Sequence, residues 1–184
     1  MKKFKIAVLV GSLRKESYNL KIAKAMESVA PKSISFEYLS IGNLPFFNED
    51  LEATPPKEWV AFRKEIQAAD GLLFVTPEYN RSVPGVLKNA IDVGSRPYGK
   101  NSFDAKPGAV VSASPGNISG FGANHHLRQS LTFLNIPTMA QPEAYIGGVA
   151  DMFDEKGNLT DDSTKKFLTS FMEALEKWVE TNAK

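Results

Sequence analysis

Short, almost uninterrupted apolar runs alternate with helix-patterned segments along this 184-residue chain, and that alternation restricts the fold more than any other property. Phe4–Val10, Gly71–Thr76 and Gly108–Ser112 are nearly continuous in apolar residues, the pattern of strands buried on both faces. Ser33–Leu39 alternates instead, Ile34, Phe36 and Tyr38 against Ser35 and Glu37, as a half-buried strand does. Ile136–Met139 predicts a short fifth strand. Leu20–Val29, Pro56–Ala69, Val86–Gly94, Gly122–Leu134 and Asp161–Asn182 read as helices. Ile41–Pro56 reads as a long loop with Phe46 and Phe47 tucked inward, and Asp154–Asn158 as a turn. Strands alternating with helices call for an α/β fold, a doubly wound, mostly parallel five-stranded sheet covered on both faces. A chain of this length fits one domain, 1–184, with a sizeable core.

In such sheets ligands bind beyond the carboxyl ends of the strands, and three of those ends carry unusual loops. The first, Gly11-Ser12-Leu13-Arg14-Lys15-Glu16-Ser17-Tyr18-Asn19, is dense in hydroxyls and cations and runs into a helix. A helix N-terminus presents free N–H groups and a positive dipole end, and a guanidinium matches two phosphate oxygens. The loop has neither the G-x-G-x-x-G nor the G-x-x-x-x-G-K-[ST] pattern. It reads either as a phosphate cradle or as a plain strand-to-helix turn, with Ser17 as N-cap and Arg14 and Lys15 solvated. The second loop, Thr76-Pro77-Glu78-Tyr79-Asn80, has a flat aromatic side chain beside polar groups, suited to a planar heterocycle. The third, Ser114-Pro115-Gly116, lets backbone approach a ligand closely.

The Gly11–Asn19 loop resembles the G-S-x-R-x-x-S-x-N phosphate loop of the NADPH-dependent FMN reductase family, a flavodoxin-like group that includes bacterial quinone and chromate reductases. Thr76–Asn80, followed by Ser82, Pro84, Gly85, Leu87–Asp92 and Ser95-Arg96, is similar to the family's second signature, and His126–Gln129 and Pro142-Glu143 match later segments. The resemblance implies a flavodoxin-like domain with bound FMN and with NADPH or NADH as electron donor. It implies that Ser12, Arg14, Ser17 and Asn19 hold the phosphate, with Tyr18 in the same cofactor-binding loop. The isoalloxazine ring is then expected against Pro77, Glu78, Tyr79 and Asn80, with Ser114 and Gly116 near its other edge. It also implies a homodimer or homotetramer, with the helix after Pro84 and the segment around Arg96, His125 and Glu143 in subunit contacts. Two departures bear on substrate preference: Arg81 stands where some relatives carry an aromatic residue, and Val93-Gly94 replaces a bulkier pair expected near the pocket mouth.

The implied reaction is ping-pong: hydride passes from NAD(P)H to FMN, then to a quinone or a similar acceptor (chromate, azo or nitro compounds, free flavin). The flavin carries that chemistry, so no side chain is assigned a catalytic role. Arg81 is expected either to attract the phosphates of the dinucleotide or to stand as a solvated or subunit-bridging arginine. Cysteine is absent, which removes disulfides and thiolate chemistry. His125 and His126 are adjacent and face different directions on a helix, and Asp151, Asp154, Asp161 and Asp162 lack EF-hand spacing; no metal is expected. A net charge of +1 gives no reason to expect nucleic acid or an anionic membrane as partner. It also counts against the alternative function, a flavodoxin-type electron carrier serving protein partners. With no long apolar span and no signal-peptide pattern after Met1-Lys2-Lys3-Phe4, a cytoplasmic location is expected.

Overall fold

The computed structural model describes residues 2–183. Its elements are β1 (Phe4–Val10), α1 (Tyr18–Val29), β2 (Ile34–Tyr38), α2 (Lys57–Gln67), β3 (Gly71–Thr76), α3 (Gly85–Gly94), β4 (Gly108–Ala113), α4 (Phe121–Phe133), β5 (Ala144–Ile146) and α5 (Asp162–Asn182), with short 3-10 turns at Glu49–Leu51 and Val149–Asp151. All pairings are parallel, in the order β2-β1-β3-β4-β5. That is the flavodoxin-like order, and its direction of winding reverses between β1 and β3.

The three apolar runs are continuous because both faces of the sheet are covered. Ile6, Val8, Leu73, Val75 and Val111 pack beneath α1 and α5, against Ile22, Met26, Phe171 and Leu175. Their neighbours Ala7, Leu9, Leu72, Phe74 and Val110 point the other way, against Trp59, Phe62, Ile66, Leu87 and Leu127 of α2, α3 and α4. Adjacent strand residues thus serve two different cores. β2 is an edge strand with alternating exposure, as its sequence alternates. Asp161 caps α5, its carboxylate accepting from the Thr164 amide at 2.7 Å. Hydrogen bonds from Ser163 and Thr164 hold that carboxyl below the usual aspartate range.

The structure corrects three expectations. The fifth strand is Ala144–Ile146, paired with Val111–Ala113, and not Ile136–Met139. The earlier segment meets β4 only at Gly108, whose amide donates to Pro137 O at 2.9 Å and whose carbonyl accepts from Met139 N at 2.8 Å. Pro137 and Pro142 have no N–H to extend a ladder, so the edge strand forms only beyond them. In the long loop Phe47 does turn inward and stacks on Trp59 at 5.6 Å, but Phe46 is 81% exposed. Val93 and Gly94 are buried in the core and do not line a pocket mouth. Among the described residues no helix is long and apolar enough to cross a membrane.

Candidate active site at the carboxyl edge of the sheet

The register sets Val10 beside Val75 and Thr76 beside Ser112. The loops 11–17, 77–84 and 114–120 therefore leave neighbouring strands at one edge, the first two flanking the β1/β3 reversal where ligands of such sheets bind.

In the first loop Ser17 is the N-cap of α1, extended at φ −70° and ψ 120°, its Oγ accepting from Leu20 N at 3.3 Å. Lys21 N is the first helix amide bonded to a main-chain carbonyl, Ser17 O at 3.0 Å. The amides of Tyr18 and Asn19 have no acceptor among the described residues, as expected for the first turn of a helix. Ser12 Oγ accepts from Arg14 N at 3.4 Å. The Arg14 guanidinium lies 4.7 Å above the Tyr18 ring and donates to Glu16 O, so an exposed cation is held on an aromatic shelf at the helix mouth. Asn19 is buried, its Nδ2 donating to Ala113 O at 3.1 Å, while its Oδ1 has no partner.

The second loop is a two-residue hairpin. Tyr79 and Ser82 exchange N–H···O bonds of 3.1 and 3.0 Å, and Asn80 and Arg81 both lie at positive φ, 51° and 63°. That is the signature of a type I′ turn. Asparagine tolerates it; for arginine the left-handed conformation costs roughly 1–2 kcal/mol. Glu78 holds the tip: one oxygen accepts from Arg81 Nη1 at 3.0 Å, the other from Ala123 N at 3.0 Å. The carboxylate thus caps the first turn of α4 from another element. Ser82 Oγ meets His126 Nδ1 at 3.0 Å, a second tie to α4. Tyr79 is left exposed beside this anchored turn.

In the third loop Gly116 N donates to Ser114 Oγ at 3.1 Å, and buried Ser112 donates to Ser119 O at 2.8 Å. Beneath it Asn124 Nδ2 donates to Ala144 O at 3.3 Å, and its Oδ1 accepts from Arg128 Nε at 2.9 Å. On the outer face of α4, His125 meets the Tyr145 hydroxyl at 2.9 Å, which donates to Glu143 at 2.9 Å. Burial first, then this carboxylate, pushes the Tyr145 phenol up to about 12. Ser12, Arg14, Ser17, Tyr18, Asn19, Pro77, Glu78, Tyr79, Asn80, Arg81, Ser114 and Gly116 all lie at this one edge. Sequence reasoning missed Ala123, His126 and Asn124 as supports of the loops. Their partners are 45, 44 and 12 residues away, so no local spacing announces them.

FMN fits this donor set. Its phosphate would only accept hydrogen bonds, which the α1 amides, the hydroxyls and Arg14 can donate, and its ribityl hydroxyls are donors of the kind Asn19 Oδ1 lacks.

Comparison with known proteins agrees. The family model of NADPH-dependent FMN reductases matches residues 4–151. A quinone reductase of Pseudomonas putida is 58% identical over 97% of this chain and 96% of its own length. A 2-hydroxy-1,4-benzoquinone reductase of a Burkholderia species is 46% identical over 95% of this chain and 96% of its own. The solved structure of FerB, a flavoenzyme NAD(P)H:(acceptor) oxidoreductase from Paracoccus denitrificans, superposes with a TM-score of 0.93 at 42% identity, covering 98% of this chain and all of FerB.

Proposed function

This chain belongs to the NADPH-dependent FMN reductase family, and we propose that its three strand-end loops hold FMN in one open site used in turn by NAD(P)H and by a quinone. It is an NAD(P)H-dependent FMN oxidoreductase; the residue roles, the alternating order and the acceptor are our reading. The observation that carries it is the adjacency of a helix mouth bearing Arg14 and an anchored tyrosine-bearing turn, across the reversal of the sheet. FMN, when bound, accepts hydride from the nicotinamide and passes electrons on to the acceptor.

The Tyr18 and Asn19 amides, the hydroxyls of Ser12 and Ser17 and the Arg14 guanidinium on its Tyr18 shelf would hold the phosphate. Pro77, Glu78, Tyr79 and Asn80 offer main-chain groups and a ring face to the isoalloxazine, because the Glu78 carboxylate is engaged by Ala123 and Arg81. Ser114 and Gly116 would face its other edge. Residues 1–184 act as one FMN-binding domain. Leu13, Tyr79 and Ile118 on these loops, and Phe121 at the start of α4, are exposed large apolar side chains, which suits a flat apolar acceptor; quinones come first, with azo and nitro compounds, free flavin and chromate as further acceptors. An absorption spectrum of the purified protein followed by anaerobic titration with NADPH and NADH tests the reading. Bleaching of bound flavin that a quinone then reverses supports it, and colourless protein that refuses added FMN ends it.

Arg81 recruits the dinucleotide. Its side chain is 72% exposed and only one nitrogen is taken by Glu78, leaving donors for a pyrophosphate. Arg81→Ala is expected to raise KM for NAD(P)H roughly threefold to tenfold with kcat little changed; an unchanged KM refutes the role. The protein also forms a homodimer or homotetramer. Tyr98 and Phe133 are 88% and 87% exposed and flank a cavity of about 410 Å³ that Phe47, Arg96 and Leu134 also line, an apolar surface of the sort that marks an interface. Light scattering is expected to give two or four times the monomer mass, and Phe133→Glu with Tyr98→Glu to lower it; a monomer in the unaltered protein contradicts this.

A further inference from the structure

We propose that Asn19, the last residue of the phosphate-loop motif, is a positioning residue whose carboxamide does not meet the phosphate but ties the end of β4, and with it the Ser114–Gly116 loop, to the start of α1. This rests on the FMN assignment above and changes what one motif residue does within it.

Asn19 is the second residue of α1 and only 4% exposed. Its Nδ2 donates to Ala113 O at 3.1 Å, across 94 residues of sequence. Ala113 is the last residue of β4 and is itself buried, and Ser114 opens the third loop directly after it. A main-chain carbonyl only accepts, so the bond sets the orientation of the amide: nitrogen toward Ala113, oxygen away from it. That oxygen is buried and has no hydrogen-bond partner among the described residues. It has only lone pairs, and so adds nothing to the capture of an anion. Arg14, in contrast, is exposed at the helix mouth.

The remaining hydrogen bonds of Ser114 and Gly116 come from β5, from the segment after it, or from the loop itself. Ser114 N donates to Ile146 O at 2.9 Å, Val149 N to Ser114 O at 3.4 Å, and Gly116 N to Ser114 Oγ at 3.1 Å. The Asn19 bond pulls from the opposite side, from the helix that bears the phosphate loop. It therefore fixes the spacing between the phosphate end of the site and the loop assigned to the ring edge. Both of its ends are buried, so the bond is protected from competition by water.

The test compares Asn19→Leu, close to asparagine in volume, and Asn19→Ala with Arg14→Ala as the phosphate-side reference. FMN and riboflavin affinities are measured by fluorescence titration, and the visible flavin band and midpoint potential on FMN-saturated protein. The Asn19 variants are expected to weaken FMN and riboflavin by a common factor, roughly threefold to tenfold for one buried amide–carbonyl bond. At saturation they also shift the flavin band and the potential, because the loop beside the ring has moved. Arg14→Ala weakens FMN alone and leaves band and potential in place. Asn19 variants that weaken FMN but spare riboflavin, band and potential make Asn19 a phosphate ligand and overturn the proposal, as do variants with every readout at the unaltered value. Unchanged FMN affinity in Arg14→Ala as well indicates instead that the FMN assignment has failed.

Discussion

Arg14→Ala raises the dissociation constant for FMN by about tenfold to a hundredfold and leaves that for riboflavin unchanged. Charge-assisted bonds to a phosphate are worth about 1.5–3 kcal/mol, and each 1.4 kcal/mol is tenfold in affinity. Arg14 is exposed, so solvent takes part of that value. The Tyr18 ring beneath it at 4.7 Å and the Glu16 carbonyl restore some by holding the guanidinium in place before the ligand arrives. Arg14→Lys recovers the charge but neither the planar fork nor the stacking, so its affinity falls between the two. Added salt narrows all three differences. Equal losses for FMN and riboflavin in Arg14→Ala would place the arginine near the ring and not the phosphate.

Gly94→Leu destabilises the fold by roughly 3 kcal/mol, at the upper end of what overpacking costs. A Cβ at Gly94 would stand 2.4 and 2.6 Å from Cε2 and Cζ of Phe103 and 3.0 Å from Ile66 Cδ1. Phe103 is fully buried beside Phe74, at 6.4 Å between centroids, and has no outward route. Phe103→Ala alone costs about 3–5 kcal/mol through the cavity it leaves. The two changes together are less damaging than their sum, with a coupling of about 1–3 kcal/mol, because the leucine fills the space the ring vacates. Gly85→Ala serves as control: nothing lies within 4 Å of a Cβ there, and its effect stays within about 0.5 kcal/mol. Denaturant midpoints of the four variants test this, and additive losses would refute the shared space. The glycine that looks in the sequence like a change to the substrate pocket is a packing partner of Phe103.

The legible parts of the fold share one physical trait. Strands β1, β3 and β4 are covered on both faces, so nearly every position is apolar and the runs stand out without regard to pairing. β5 has only three residues and follows two prolines; a stretch so short has no periodicity of its own. The loops of the site were likewise legible where their chemistry is local. Ser17, an N-cap candidate in the sequence, does cap its own helix. The left-handed pair Asn80 and Arg81 was not, since no glycine marks the turn.

Residue order alone sets the α/β winding, the loops that meet at one sheet edge and the residue types offered there, because burial periodicity and helix capping act over a few residues. What those residues bond to depends on the folded chain: Asn19 with Ala113, Glu78 with Ala123 and Ser82 with His126. Each of these contacts joins elements far apart in the chain, and a bond only about 3 Å long exists only once the strand order has set both ends in place.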